Sequence, residues 1–293
     1  MTSFNARRDP HERRALFRAM LAGTSTVVPA PVFDPLSARL AEDAGHTAVL
    51  LGGSSASLAV LGAPDITILT LTELAELARR ICRVSALPLV VDGDHGYGNS
   101  VNVARMVEEL EHAGAAAVTI EDTRLPRAHG SRGGELISPE EAHDKLRAAI
   151  GARLAADFTI IARTSAELAG GEAALLRRIA AYEAAGVDAL LVTGLSTPAA
   201  LEAVRGATTL PLALARCGPA LSDAALLAAH RVRLWIRGHG PMAQAYGALS
   251  AAYAALADGD EGAPSPEVAA LIARASRETE HLRFANDVLD SEE

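Results

Sequence analysis

The sequence predicts an α/β protein in which eight parallel strands form a (β/α)8 TIM barrel, and three observations support this fold class. Short apolar runs alternate along the chain with amphipathic, alanine-rich segments, as expected of repeated β/α units. The pairs Ala44-Gly45, Ala113-Gly114 and Ala185-Gly186 each place glycine where a helix ends, shortly before an apolar run. Eight such runs lie between Val27 and Ile236, which favours a closed barrel over a doubly wound sheet.

The strand candidates are short and aliphatic, and amphipathic helical patterns separate them. We expect strands at Val27–Ala30, Thr47–Leu51, Leu87–Val91, Ala116–Ile120, Phe158–Ala162, Ala189–Val192, Leu210–Ala215 and Arg233–Ile236. We expect helices at Leu71–Val84, Val101–Ala113, Pro139–Ala149, Ala173–Ala185 and Ala199–Val204. A last helical pattern, Pro266–Leu289, follows the linker DGDEGAPSP. The chain therefore divides into a barrel with an N-terminal helix at 1–257 and a linker with a C-terminal helical extension at 258–293.

Composition and charge exclude several classes of function. The 293 residues are 49% hydrophobic, enough for a large core, and the formal net charge of -9 argues against binding to nucleic acid or an anionic membrane. The N-terminal segment lacks an apolar stretch of signal-peptide type, and every apolar run is too short to span a bilayer. Two cysteines provide neither a disulfide framework nor a CxxC metal pair. We expect a cytoplasmic protein.

One lysine is present, Lys145, on the predicted helix that begins at Pro139. We expect this residue to be exposed to solvent on its helix. A Schiff-base mechanism requires a desolvated lysine in the active site. The sequence therefore argues against Schiff-base chemistry.

Polar residues follow almost every predicted strand, and in a barrel the carboxyl ends of the strands meet at one rim. The combination of carboxylates, hydroxyls, arginines and histidines there favours a shared site over a set of independent solvated turns. The residues are Gly52, Gly53, Ser54 and Ser55; Asp92, Gly93, Asp94 and His95; Glu121 and Asp122; Arg163 and Thr164; Thr193; Arg216 and Cys217; and Arg237, Gly238 and His239.

The stretch DGDHGYGNS, residues 92–100, follows a predicted buried strand. An EF-hand loop starting at Asp92 would need glutamate at its twelfth position, where this chain has Val103. A dinucleotide loop would need a third glycine where Val101 stands. The remaining interpretation is oxygen ligation of a hard divalent cation such as Mg²⁺, and Asp92, Asp94 and Glu121 on adjacent strands suit it.

Three other positions suit the binding of an anionic substrate. Arg163 follows a buried strand, and its planar guanidinium suits a carboxylate, with a salt bridge to Glu121 or Asp122 as the alternative. The turn containing Ser54 can offer a hydroxyl and backbone N–H groups to an anion. His239, after the last strand, can exchange a proton near neutral pH. We expect His95 and Cys217 to have packing or loop roles.

These motifs together resemble the isocitrate lyase/phosphoenolpyruvate mutase superfamily. The stretches that carry the resemblance are VFDPLSARLAEDAG, LGGSSASLAVLGAPD, DHGYGN, TIEDTRLP, TIIARTSAEL and the late GH, and the similarity runs from about Phe17 to Leu256. Within the superfamily, the sequence is most similar to the Mg²⁺-dependent oxaloacetate decarboxylase branch. Members are (β/α)8 barrels that assemble as tetramers, as dimers of dimers, and exchange a C-terminal helix between subunits.

The resemblance implies a role for each matching position. Asp92 is the expected direct metal ligand, and Asp94 and Glu121 are expected to act through metal-bound water. Gly53, Ser54, Arg163 and His239 match positions that contact substrate, and the last two match catalytic positions. The implied cofactor is Mg²⁺, with Mn²⁺ as an alternative, and the implied substrate is a small 2-oxo dicarboxylate.

The implied reaction is decarboxylation of oxaloacetate, or of a close 3-carboxy-2-oxo acid, to pyruvate and CO2. The alternatives are a phosphonopyruvate mutase or hydrolase, a C–C lyase of a substituted malate, and a non-catalytic barrel that binds a dicarboxylate. Lyases of the isocitrate type resemble one another in a cysteine-containing K-[KR]-C-G-H loop, which is absent from LPRAHGSRGGELI here. Gly93, Cys217 and Arg237 depart from the decarboxylase pattern and leave the exact substrate open.

Overall fold

A computed structural model describes residues 9–260 and 262–289, and it contains the expected barrel of eight parallel strands in chain order. The strands are β1 Ala30–Pro31, β2 Val49–Leu51, β3 Leu89–Asp92, β4 Ala117–Glu121, β5 Thr159–Ser165, β6 Ala189–Thr193, β7 Leu212–Ala215 and β8 Val232–Ile236. Val27 closes the barrel by bridging to Leu234 of β8, with its N–H donating to the carbonyl of Arg233 at 2.9 Å. The predicted fold class is confirmed.

Helices surround the barrel, and each of the five helices predicted between the strands is present with ends shifted by at most two residues. The helices are α1 Pro10–Ala22, α2 Pro35–Asp43, α3 Gly53–Leu61, α4 Leu71–Cys82, α5 Ser100–His112, α6 Pro139–Gly151, α7 Glu172–Ala185, α8 Pro198–Gly206, α9 Ala224–Ala229, α10 Gly240–Ala257, α11 Pro266–Ser276 and α12 Glu278–Leu289. A 3-10 turn, Pro219–Leu221, precedes α9.

Local sequence signals explain where these helices begin and end. Thr70 caps α4 and forms a capping box with Glu73, so the first N–H groups of the helix have acceptors. After α2, α5 and α7, the glycines of the three Ala-Gly pairs adopt φ of +85°, +93° and +93°, a region that residues with a β-carbon disfavour. The repeated helix-ending signal predicted from the sequence is therefore confirmed.

Two hydrophobic clusters hold the barrel together. One lies between the strands and the surrounding helices. The other fills the barrel interior with small and aliphatic side chains and includes Phe17 and Leu21 of α1. Phe17 is fully buried, and its aromatic ring packs α1 against the interior cluster. The interior is a packed core, and side chains at the carboxyl ends of the strands surround the cavity described below.

Two expectations about the helices were wrong. The C-terminal pattern is not one helix but two, because Arg277 adopts φ of +59° between α11 and α12. Lys145 is not exposed but buried, and its Nζ donates a 2.5 Å hydrogen bond to the carbonyl of His95. A buried ammonium needs such an acceptor. Burial lowers the pKa of Lys145, although Glu141, Glu121 and Asp122 act in the opposite direction.

The extension packs against the barrel of its own chain. Arg277 forms a two-pronged ion pair with Asp43 at 2.7 and 2.9 Å, and Arg39 donates to the carbonyl of Ser276 at 2.9 Å. These contacts join α11 to α2. Among the described residues, none of the helices has the length and apolarity needed to cross a membrane.

Candidate active site

A cavity of about 1110 Å³ opens at the carboxyl ends of the strands, at the rim where the sequence predicted the site. Six of the seven predicted site residues line it: Ser54, Asp92, Asp94, Glu121, Arg163 and His239. The seventh, Gly53, lies directly behind Asp94. Lys145 is not one of the residues that line this cavity. It borders a much smaller cavity beneath Glu121.

A carboxylate–arginine cluster forms on the wall made by β3, β4 and β5. Nη1 of Arg163 donates to both carboxylate oxygens of Asp92, at 2.9 and 2.8 Å, and its Nη2 lies 2.9 Å from Oε2 of Glu121. The strand register places Glu121 opposite Arg163 and Asp92 opposite Thr119. The hydroxyl of Thr119 donates to Asp92 at 3.0 Å. One guanidinium therefore fixes two predicted metal-site carboxylates.

Burial and charge perturb the protonation of this cluster. Burial raises the pKa of Glu121, and Asp92 raises it further, although Arg163 opposes the shift. Burial lowers the pKa of Arg163, but Asp92 and Glu121 outweigh it, so the net shift is upward and the side chain stays charged. Arg163 thus carries a permanent positive charge at this wall, which it shares with Asp92 and Glu121.

Asp94 occupies a strained position beside the cluster. Its φ is +46°, unusual for a residue with a β-carbon, and its N–H donates to Oδ1 of Asp92 at 3.3 Å. Burial, followed by the charges of Asp92, Asp65 and Glu121, raises its pKa to about 9. Without a compensating cation, the Asp94 carboxyl therefore holds a proton at neutral pH.

The donor set fits a hard divalent cation. Asp92, Asp94 and Glu121 supply only oxygen atoms, which Mg²⁺ and Mn²⁺ prefer. Three acidic groups share one arginine, and a bound cation would relieve the repulsion that raises the Asp94 pKa. In residues 9–260 and 262–289, no three acidic, histidine or cysteine side chains converge tightly enough to ligate one ion alone. A site with one direct carboxylate, completed by water and substrate, suits this arrangement.

The turn after β2 contacts two other parts of the site. Ser54 donates to Oδ2 of Asp65 at 2.8 Å, and Oγ of Ser55 lies 2.9 Å from Nδ1 of His239. Gly52 has no space for a side chain, because a β-carbon there would lie 2.4 Å from Cε1 of His239. This turn therefore positions the His239 ring, which is the residue expected to exchange a proton with substrate.

Beneath the acidic loop, His95 is buried and Tyr97 is half-buried. Burial, together with the charge of Lys145, lowers the pKa of His95 to about 4. Its ring packs against Tyr97 with 5.9 Å between ring centroids. His95 does not line the large cavity, which agrees with the packing role expected for it.

Asp122 follows Glu121 in sequence but faces away from the cavity. It accepts hydrogen bonds from Thr164 at 2.8 Å, Arg178 at 3.1 Å and Tyr182 at 2.5 Å. This buried network joins the barrel to α7. From the sequence, Asp122 was a possible salt-bridge partner of Arg163. In the structure its side chain instead has a structural role in this buried network.

The opposite wall of the cavity, at the ends of β7 and β8, is basic and aromatic. It contains Arg216, Cys217, Trp235 and Arg237. The guanidinium carbon of Arg237 lies 4.7 Å from the ring centroid of Trp235, a cation–π contact. Burial raises the pKa of the Cys217 thiol to about 11, so this cysteine is an uncharged wall residue at neutral pH.

Sequence reasoning missed two residues of the site and did not identify the contact that a third one makes. Asp65 lies beyond the end of α3 rather than at a strand end, so the strand-end rule could not find it. Thr119 is inside β4 and reaches the site only because its side chain points to the interior of the barrel, beside Asp92. Ser55 was expected at the rim as part of a turn. Nothing in the GGSS stretch indicates which of its two serines contacts His239.

The fold and the site together define an enzyme-type (β/α)8 barrel with an acidic cluster and a fixed arginine at its mouth. Comparison with known proteins gives the family. The family described as phosphoenolpyruvate phosphomutase matches residues 17–257, and the chain belongs to it. The resemblance found in the sequence is therefore confirmed.

Individual relatives agree with this assignment. An oxaloacetate decarboxylase of Rhodopseudomonas palustris strain BisB5 is 51% identical over 247 residues, covering 84% of this chain and 86% of the relative. One from Bradyrhizobium diazoefficiens is 47% identical and covers 94% of this chain and 97% of the relative. A phosphonopyruvate hydrolase solved with oxalate and Mg²⁺ is 31% identical, with a TM-score of 0.81 and coverage of 94% and 98%.

Proposed function

We propose that this chain catalyses the metal-dependent decarboxylation of oxaloacetate, or of a close 3-carboxy-2-oxo acid, to pyruvate and CO2. The observation that carries the proposal is the Arg163 guanidinium that joins Asp92 and Glu121 on the wall of a cavity open to substrate. The proposal is also supported by relatives named oxaloacetate decarboxylase that share about half of their residues with this chain over most of its length.

Asp92 would ligate Mg²⁺, or Mn²⁺, directly, and Asp94 and Glu121 would act through water. When bound, the ion supplies positive charge beside the 2-oxo oxygen of the substrate, where negative charge develops as CO2 leaves. Thr119 and Arg163 hold the Asp92 carboxylate in place, so its orientation is fixed before the ion arrives.

The chain's own residues would bind and orient the substrate. Arg163 keeps a full positive charge and would face a substrate carboxylate with its remaining N–H groups. The backbone N–H of Gly53 would donate a hydrogen bond to the same end of the substrate, and so would Ser54 once its hydroxyl turns away from Asp65. His239 would use Nε2 to deliver a proton to the enolate, because Ser55 engages Nδ1.

A direct assay tests the proposal. Purified protein with Mg²⁺ should release CO2 and pyruvate from oxaloacetate faster than the metal alone, and EDTA should abolish the excess. Asp92→Ala should lose this excess, and His239→Ala should lower it. Full activity in Asp92→Ala would refute the assigned metal ligand, and unchanged turnover in His239→Ala would refute the proton role.

A second candidate is hydrolysis or rearrangement of phosphonopyruvate, since a phosphonopyruvate hydrolase shares this fold with a TM-score of 0.81. Cleavage of a substituted malate is a further candidate, since a 2,3-dimethylmalate lyase is 26% identical to this chain with a TM-score of 0.81. A panel of oxaloacetate, phosphonopyruvate and alkylmalates separates these activities. Ligand binding measured by calorimetry, with turnover of none of them, would instead support a non-catalytic dicarboxylate-binding barrel.

We also propose a cytoplasmic homotetramer, a dimer of dimers. Exchange of the C-terminal helices between subunits would replace the contacts that α11 makes with α2 of its own chain by the same contacts with a partner. The support is α10, whose apolar residues are exposed in the single chain: Tyr246 at 40%, Leu249 at 44%, Tyr253 at 65% and Leu256 at 47%. Such a surface needs a covering partner. The division into a barrel at 1–257 and an extension at 258–293 is supported by the family match, which ends at residue 257. Light scattering of the purified protein tests the tetramer, and a monomer would contradict it.

A further inference from the structure

The two arginines at the ends of β7 and β8 have no acidic partner in the part of the chain that the structure describes. Arg216 donates only to the hydroxyl of Thr193, at 3.1 Å, and Arg237 stacks on Trp235. Both side chains line the cavity. Arg163, by contrast, is engaged by Asp92 and Glu121. We call Arg216 and Arg237 the arginine pair.

The backbone of Arg216 supports a ligand role for this pair. Its φ of +52° is a left-handed conformation that costs energy for a residue with a β-carbon. The hydroxyl of Thr193, the last residue of the neighbouring strand β6, holds the guanidinium at the cavity wall. Because β7 and β8 are adjacent parallel strands, Arg216 and Arg237 emerge side by side at the same rim.

The cavity is also larger than the proposed substrate needs. Its volume of about 1110 Å³ is comparable with pockets that hold drug-sized ligands, about 300–1,000 Å³. A four-carbon dicarboxylate held at the acidic cluster would leave the β7–β8 side unfilled. The arginine pair is exposed at the mouth, where the tail of a longer substrate would lie.

The leaving carboxylate is a poor ligand for the arginine pair. It loses its charge as it becomes CO2, so a cation bound to it would stabilise the substrate more than the transition state. A carboxylate that survives the reaction has no such penalty. The cationic wall therefore suits an acidic group additional to the two of oxaloacetate.

We propose that the arginine pair binds a further carboxylate, carried on a substituent at C3 of the substrate, and that the enzyme acts on 3-substituted oxaloacetates with an acidic tail. The inference rests on the proposed decarboxylation. In that reaction the C3–C4 bond breaks, its electron pair forms the enolate, CO2 leaves, and one proton adds at C3. The product is a longer 2-oxo acid that keeps the tail carboxylate on Arg216 and Arg237.

Trp235 is the only tryptophan in the chain and lies on this wall, so its fluorescence reports binding directly. The probes are 2-oxoglutarate, which has the acidic tail of such a product, and 2-oxopentanoate, which has the same chain length without it. In Mg²⁺, the full-length protein should bind 2-oxoglutarate at least about tenfold more tightly, as expected for one added charge-assisted contact. Calorimetry repeats the measurement without relying on the fluorophore.

In the R216Q/R237Q double variant, the affinities for 2-oxoglutarate and 2-oxopentanoate should lie within about threefold of each other. Arg83 is exposed and lies outside the cavity, so the control variant R83Q should keep the wild-type preference. Circular dichroism shows whether the double variant is folded, and oxalate binding shows whether its metal site is intact. If either is lost, the single variants R216Q and R237Q are compared instead. Equal affinities in the wild type, or a preference that persists without the arginines, would overturn the proposal. Because binding requires no turnover, this failure is distinct from an absence of oxaloacetate decarboxylation.

Discussion

Gly53 gives a sharp test of the acidic cluster, because it has no space for a side chain. A β-carbon at this position would lie 2.6 Å from Oδ1 and 3.0 Å from Oδ2 of Asp94. Ordinary van der Waals contact begins at 3.4 Å, so Gly53→Ala requires a shift of roughly 0.8 Å, the difference between 3.4 and 2.6 Å. Either the Asp94 carboxylate retreats or the first turn of α3 moves away from it.

The effects on stability and on activity should differ in size. Overpacking of this kind costs about 1–3 kcal/mol. Alanine in a helix recovers at most about 0.5–1 kcal/mol, and less at the first helical residue. We therefore expect Gly53→Ala to lower the free energy of unfolding by about 1 kcal/mol. A shift of about 1 Å in a positioning group can cost about 100-fold in rate, so kcat/KM should fall between about 10- and 100-fold.

The assay follows pyruvate formation from oxaloacetate across a series of Mg²⁺ concentrations, with the metal-only background subtracted. Gly53→Ala should need more Mg²⁺ for half-maximal activity. Gly206→Ala is the matched control, because a β-carbon at the end of α8 would meet nothing within 4 Å. It should keep wild-type activity. Wild-type kcat/KM and Mg²⁺ dependence in a folded Gly53→Ala protein would refute the placement of Asp94 in the metal site.

Other contacts of the site give three further predictions. In the metal-free protein, the folded-state pKa of Asp94, about 9, exceeds its ordinary value of 3.8. The free energy of unfolding should therefore fall as the pH rises from 3.8 to about 9. Thermal denaturation of the wild type and of Asp94→Asn across this pH range measures the effect. Arg163→Gln should lower kcat/KM about 100-fold or more in the oxaloacetate assay, because it removes the charge that faces the substrate. Ser55→Ala should lower kcat about tenfold by freeing the His239 ring, whereas Ser54→Ala should mainly raise KM.

Each of these predictions has an outcome that contradicts it. Identical pH dependence of stability in wild type and Asp94→Asn would show that the carboxyl titrates normally. Near-normal kcat/KM in Arg163→Gln would leave the guanidinium with a structural role only. If the Ser54→Ala and Ser55→Ala variants had the same kinetic parameters, the contact between Ser55 and His239 would not position the ring.

The fold was predictable because its signals are local. Every predicted strand is present, since almost every aliphatic run is followed by a polar turn and most helices carry a side-chain cap or a terminal glycine. The break at Arg277 escaped prediction because an arginine with positive φ leaves no pattern in the sequence. Its conformation accompanies a contact between distant segments, the ion pair with Asp43.

The strand-end rule found most of the site because parallel strands deliver their carboxyl ends to one rim. Asp92, Glu121 and Arg163 meet as expected, and the register explains why Arg163 reaches Glu121 and not Asp122. Residues outside that rule were missed. Asp65 belongs to a loop whose path depends on tertiary packing, and local sequence does not encode it.

The burial of Lys145 has a consequence for studies of how the protein opens. Because it is the only lysine and is 5% exposed, the native chain offers almost no side-chain amine to an amine-reactive reagent. Modification at Lys145 therefore requires α6 to separate from the loop containing His95. The rate of that modification, followed by mass spectrometry, measures the free energy of opening of this region against the global value. The chain thus carries its own single-site reporter of local unfolding beneath the catalytic rim.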